Sequence, residues 1–84
     1  MKKVTVYTST PCPYCSRAKD LLRRRGVAFE EVNVPWDDEE TWKKMIARSG
    51  MRTVPQIFFG DECIGGFTEL NALDQSGQLQ SKLQ

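Results

Sequence analysis

The chain opens with two hydrophobic rhythms that no single element can satisfy. In Lys3 to Thr8, KVTVYT, apolar and polar residues alternate with Val4 and Val6 on one face, the pattern of a half-buried strand. Shortly after, Ala18, Leu21 and Leu22 fall at helical spacing, and Gly26 supplies a stop. Val27 to Val34, VAFEEVNV, then reads as a strand again. Two strands joined by a helix are parallel and share a sheet, so the first third of the chain already demands a sheet with a helix laid across it.

The remainder extends that sheet. Asp37, followed three residues later by Glu40, resembles a carboxylate version of a capping box, and Trp42, Met45 and Ile46 form an apolar stripe that Gly50 ends. Pro55 to Gly60, PQIFFG, and Glu62 to Gly65, ECIG, predict a hairpin turning at Gly60-Asp61. A last helix is expected from about Thr68, its possible cap, with Leu70 and Leu73 inward. Leu79 and Leu83 either extend it or belong to a frayed tail. The expected order is β-α-β-α-β-β-α, an α/β fold with a mixed four-stranded sheet. At 84 residues, one compact domain spanning 1–84 is the limit.

Charge and composition exclude several classes. Twelve basic and eleven acidic residues leave a net charge of +1, so no whole-protein field draws the chain to nucleic acid or anionic lipid. The basic run Arg23-Arg24-Arg25 suits the solvated C-terminal end of a helix. No apolar run approaches the roughly 20 residues of a membrane span. The opening MKKVTVYTST has a strand pattern, not that of a signal peptide, so a cytoplasmic, reducing compartment is the expected setting. Three cysteines, an odd number, exclude a fully paired disulfide framework in a monomer.

The chemistry concentrates in Cys12-Pro13-Tyr14-Cys15. A structural zinc site needs four ligands, but the chain has no histidine and only Cys63 besides this pair. Haem attachment needs a histidine where Ser16 stands, and Cys-His catalysis is impossible for the same lack. A redox pair fits. Placed after a strand, Cys12 falls at the start of a helix, where unpaired N–H groups and the dipole favour a negative charge and lower a thiol's pKa. Pro13 suits the first helical position, which needs no N–H donor. Cys15, one turn further in, is placed to attack a sulfur on Cys12. Cys12 is therefore the expected nucleophile and Cys15 the resolving thiol. A C-x-x-C ahead of a helix in a βαβ pattern marks a thioredoxin-like redox site.

On these residues the chain resembles a glutaredoxin. The family's C-P-Y-C stands intact at Cys12 to Cys15, Thr53-Val54-Pro55 matches its T-V-P segment, and Gly65-Gly66 matches its paired glycines before the last helix. The resemblance covers nearly the whole chain. It implies a thioredoxin-like three-layer α/β/α fold, a cis Pro55, and glutathione as co-substrate with no tightly bound cofactor. It also implies a glutathione-binding set of Tyr14, Arg52, Thr53, Val54, Pro55, Gly66, Phe67, Thr68 and Glu69. Within that set Val54 would pair through its backbone with the cysteinyl part, and Thr68 would assist at the γ-glutamyl carboxylate. Glu69 would meet the α-amino group in place of a commoner aspartate, and Arg52 would face the glycine carboxylate or the Cys12 sulfur. Ser9 stands where many members carry lysine, which removes one cation near the sulfur.

The function implied is reduction of protein–glutathione mixed disulfides through Cys12 alone, and of protein disulfides through Cys12 and Cys15 together. The partners would be glutathione and glutathionylated or disulfide-containing proteins, and the protein a monomer. Two alternatives remain open at this point: a redoxin recharged directly by thioredoxin reductase, and a dimeric carrier of a glutathione-ligated [2Fe–2S] cluster. The glycine pair and Tyr14 speak against the first, Pro13 and the second cysteine against the other. Cys63 reads as a small buried hydrophobe on the hairpin. Trp36 is expected at the surface and Trp42 in the core.

Overall fold

In the computed structural model, which describes all of residues 1–84, eight elements follow one another. They are β1 (Val4–Thr8), α1 (Pro13–Arg24), β2 (Glu30–Asn33), α2 (Glu39–Ser49), β3 (Gln56–Phe59), β4 (Glu62–Gly65), α3 (Phe67–Gln75) and α4 (Leu79–Leu83). The strands lie in the order β2-β1-β3-β4. β1 runs parallel to β2 and antiparallel to β3, while β3 and β4 form the expected hairpin. Opposite Ile57 and Phe58 the register shifts by one residue, which is a β-bulge in β4.

The central strands carry the core. Val4 and Val6 of β1 and Ile57 and Phe59 of β3 pack against Ala18, Leu21 and Leu22 of α1 and Leu70 of α3. All are at most 2% exposed. On the opposite face, Phe58 meets Tyr7 edge-on with ring centroids 5.5 Å apart, and the Arg48 guanidinium of α2 lies 4.4 Å over the Phe58 ring. Helices therefore cover both faces, giving the three-layer α/β/α arrangement. β3 is buried along its whole length, which explains why its sequence QIFF shows no alternation.

Several local expectations are corrected. β2 is shorter than Val27 to Val34, because Val27 ends the turn after α1 by donating its N–H to Leu22 O. The cap of α2 is Asp38, not Asp37: its carboxylate accepts from the Thr41 N–H at 3.2 Å and from the Thr41 hydroxyl at 2.8 Å. Trp42 is only half-buried. It stacks on exposed Trp36 at 5.2 Å and donates its indole N–H to Pro35 O.

The tail does not fray. Gly77, at φ +75°, ends the turn after α3 and redirects the chain, and α4 follows as an element beyond the expected order. Leu79 and Leu83, four residues apart, both insert into the core. The Lys2 N–H donates to Leu83 O at 2.6 Å, and Lys82 pairs with Glu62 at 2.6 Å, so the two ends of the chain are tied to each other and the C-terminal one to β4. Arg25 clasps Asp74 through two bonds of 2.7 and 2.9 Å and joins α1 to α3. We predict that Leu83→Ala destabilises the protein by about 2–4 kcal/mol in urea unfolding, the cost of a core cavity. A frayed tail would make the change nearly silent.

Candidate active site

The site is assembled where β1 hands over to α1. Cys12 is the N-cap of α1, in extended conformation, and Pro13 takes the first helical position. The Cys15 N–H donates to Cys12 Sγ at 3.2 Å, so the sulfur satisfies one of the amide donors that a helix start leaves open. Cys12 and Cys15 are joined by a disulfide, with Cα atoms 5.3 Å apart. Exposure separates the two: Cys12 is half-buried, while Cys15 is 3% exposed and faces the core. Cys12 thus sits at the rim and Cys15 beneath it, the unequal placement the spacing led one to expect.

The loop between β1 and α1 is held from β2 and beyond. Buried Ser9 donates its hydroxyl to Val34 O at 2.6 Å, Asn33 donates to the hydroxyls of Thr8 and Thr10, and the Trp36 indole donates to Thr10 O at 2.9 Å. Trp36 is thus more than a surface residue, since it anchors the segment leading to Cys12. Both Thr10-Pro11 and Val54-Pro55 are cis peptides; the first had no signal in the sequence.

An open groove of about 200 Å³ lies on the β3–α3 side of the disulfide. Its walls are Tyr14, Met51, Thr53, Val54, Pro55, Gly66, Phe67, Thr68 and Glu69. Val54 brings it to the reacting centre, its carbonyl oxygen lying 3.7 Å from Cys12 Sγ. Tyr14, 55% exposed, and Phe67 face one another across 6.0 Å, and Arg17 sits over the Tyr14 ring. Gly66 approaches Pro55 so closely that a side chain there would touch the Pro55 carbonyl at 3.4 Å.

The residues singled out from sequence therefore converge, with one exception. Arg52 is exposed and forms no part of the groove wall, whereas its neighbour Met51 does. Glu69 is already engaged: its Oε1 accepts the Gly66 N–H at 2.7 Å, closing the start of α3. The cap of α3 is thus Gly66 with Glu69 reaching back, not Thr68. Gly65, at φ +122°, makes room for that carboxylate, since a Cβ there would lie 2.6 Å from Glu69 Oε1.

Gln56 escaped the sequence reading because it sits in an otherwise apolar strand. Wholly buried, it donates both amide hydrogens to the groove loop, to Met51 O at 3.1 Å and Thr53 O at 2.9 Å. A polar residue inside QIFF was the available signal, since a buried amide draws partners to it; here its N–H groups find two carbonyls while its Oε1 has no partner within the chain. Cys63 is partly buried on β4, and burial pushes its thiol up from the ordinary value.

A cysteine pair capping the helix after the first strand of a mixed sheet, with a cis-proline loop against the outer sulfur, defines a thiol–disulfide oxidoreductase of the thioredoxin fold. The comparisons with known proteins narrow this class. Residues 4–64 match the glutaredoxin family model. Glutaredoxin 3 of Escherichia coli K12 is 46% identical over 83 residues, 99% of each chain, and a Pseudomonas aeruginosa glutaredoxin is 43% identical over 84 residues, 99% of this chain and 98% of that one. Among solved structures, a Brucella melitensis glutaredoxin superposes with a TM-score of 0.85 at 44% identity, covering 99% of this chain and 89% of that one. A buckwheat glutaredoxin–glutathione complex superposes with a TM-score of 0.87 at 28% identity, covering 98% and 76%. The chain belongs to the glutaredoxin family.

The two classes of cysteine should separate in alkylation of the reduced protein. A helix start favours a thiolate at Cys12, while the raised Cys63 thiol stays protonated at neutral pH. At pH 7 Cys12 is expected to react with iodoacetamide at least about tenfold faster than Cys63, read by peptide mass spectrometry. Equal rates would contradict the assignment.

Proposed function

We propose that this chain is a glutathione-dependent oxidoreductase that reduces protein–glutathione mixed disulfides and protein disulfides. The observation that carries the reading is the groove, which ends at Cys12 and offers an aromatic wall, a backbone edge and a helix start in one place. Glutathione has a part for each. Its cysteinyl unit pairs with the Val54 backbone as a short added strand beside the disulfide. Its γ-glutamyl carboxylate takes the free N–H groups at the start of α3, with the Thr68 hydroxyl beside them. Glu69 Oε2, which forms no hydrogen bond within the chain, serves the α-amino group, while Oε1 keeps its bond to Gly66. Thr53, Pro55, Gly66 and Phe67 shape the walls around it, and Tyr14 covers the sulfur-bearing part. Arg52, adjacent in sequence to two wall residues, is the cation for the glycine carboxylate. The buckwheat relative solved with glutathione supports the choice of ligand.

The reduced enzyme then works by two routes. The Cys12 thiolate attacks the glutathione sulfur of a mixed disulfide, and the protein substrate leaves as a thiol. A second glutathione thiolate attacks that sulfur, forming glutathione disulfide and freeing Cys12. This route needs no other cysteine. A protein disulfide is attacked in the same way, but Cys15 closes onto Cys12 and expels the substrate, and two glutathiones later reduce the pair. No tightly bound cofactor is required. The protein acts as a monomer in the cytoplasm, where a reducing glutathione pool supplies the electrons.

Mixed-disulfide reduction coupled to glutathione oxidation tests this reading. Cys12→Ser loses both activities, whereas Cys15→Ser keeps deglutathionylation and loses protein-disulfide reduction. Turnover by the Cys12→Ser protein would refute it.

A further inference from the structure

A second recess, about 120 Å³, opens beside the disulfide toward the β2 edge of the sheet, away from the groove. Both cysteines line it, together with Thr8, Ser9, Thr10, Ser16, Lys19, Glu31 and Asn33. Its polar side chains are already organised. Lys19 Nζ sits 3.2 Å from both Glu31 oxygens, the Thr8 hydroxyl donates to Glu31 Oε2 at 2.8 Å, and Asn33 bridges Thr8 and Thr10. The Lys19 side chain is only 21% exposed. Lys19 is four residues after Cys15, so the two share one face of α1.

The dithiol route leaves a proton unaccounted for at this place. Cys15 must become a thiolate before it can attack Cys12, yet it is 3% exposed and the chain has no histidine to act as base. Apart from the cysteines, the titratable groups lining the recess are Lys19 on α1 and Glu31 on β2. β1 contributes only hydroxyls, and Arg23 adds a further positive field at Glu31. We propose that the recess is the proton exit for Cys15, with Lys19 supporting the Cys15 thiolate through its charge and Glu31 positioning Lys19.

The step balances. The Cys15 S–H gives its proton to water in the recess, which has ample room for it, and from there to solvent. The Cys15 thiolate attacks Cys12 Sγ of the mixed disulfide; the Cys12–Cys15 bond forms, the bond to the substrate sulfur breaks, and the substrate leaves as a thiolate that takes up a proton. The substrate disulfide is reduced and the enzyme dithiol oxidised. Glu31 is not the base. The Thr8 hydroxyl and then Lys19 hold its carboxyl below the usual range, so the carboxylate has too little affinity for a proton to draw one from a thiol. Its work is to keep an otherwise mobile lysine beside the buried sulfur, at the cost of part of that lysine's field.

Opposite signs test this. The inference rests on the dithiol route, but the experiment needs no glutathione. In a Cys63→Ser background, Cys12 is loaded with thionitrobenzoate at low pH, the pH is jumped, and release of the coloured thiol by Cys15 is timed. Lys19→Gln should raise the pH midpoint of closure by about half a unit to one unit, the reach of one charge several ångströms away in a half-buried site. Glu31→Gln should lower it: the amide oxygen still accepts from Lys19 Nζ and keeps the lysine in place, while the competing negative charge is gone. Lys19→Arg should restore the midpoint, and Lys43→Gln, exposed on α2, should leave it unmoved. Unmoved midpoints in both recess variants would overturn the proposal. So would a shift in the same direction, which marks either structural damage or a carboxylate base. Failure of the glutathione reading would leave closure and its pH dependence intact, so the two failures are distinguishable.

Discussion

One contact organises the molecule's chemistry: the Cys15 amide donating to Cys12 Sγ at the first turn of α1. It makes a cysteine do the work of a capping side chain, so the unsatisfied end of a helix becomes the environment of a reactive sulfur. The rest of the fold keeps that end in place. Ala18, Leu21 and Leu22 fix α1 to the sheet from below, Ser9, Asn33 and Trp36 fix the incoming loop from β2 and the segment after it, and Val54 closes over the sulfur from the far side.

The disulfide divides the site into two unlike halves. Toward α3 lies an open groove with an aromatic wall and exposed backbone, suited to a peptide-like substrate. Toward β2 lies a small polar recess whose side chains bond chiefly to one another, with little left for a ligand. The division matches the chemistry of the two cysteines. On the proposed dithiol route the outer one needs substrate access and the inner one only a route for its proton. Gln56 belongs to the first half although it is buried, because its amide sets the carbonyls of Met51 and Thr53 that shape the groove loop.

Much of this was legible along the chain, wherever a signal is local. Alternation located β1, Pro13 the start of α1, and the turn at Gly60-Asp61 the hairpin. The misses share a different cause. Asp37 and Asp38 are equally good caps by type, and only the entry angle of the chain decides between them. Thr68 has the chemistry of a cap, but the bulge in β4 and the positive φ of Gly65 bring Glu69 back onto Gly66 first. Leu79 and Leu83 carry a weak helical pattern that could as well have frayed, since a five-residue helix has no stability of its own. Its order comes from the core that receives it.

The sequence by itself determined the order of the first seven elements, the two unequal cysteines and the family, because strand alternation, helix spacing and a C-P-Y-C motif are properties of near neighbours. Tertiary structure alone decided that Gly66 with Glu69, not Thr68, caps α3, that Arg52 stands outside the groove while Gln56 supports it, and that Lys19 and Glu31 meet in a recess that buried Cys15 lines. Those contacts join residues from three to twelve positions apart, and their formation depends on where the sheet carries each strand and loop, which no local pattern records.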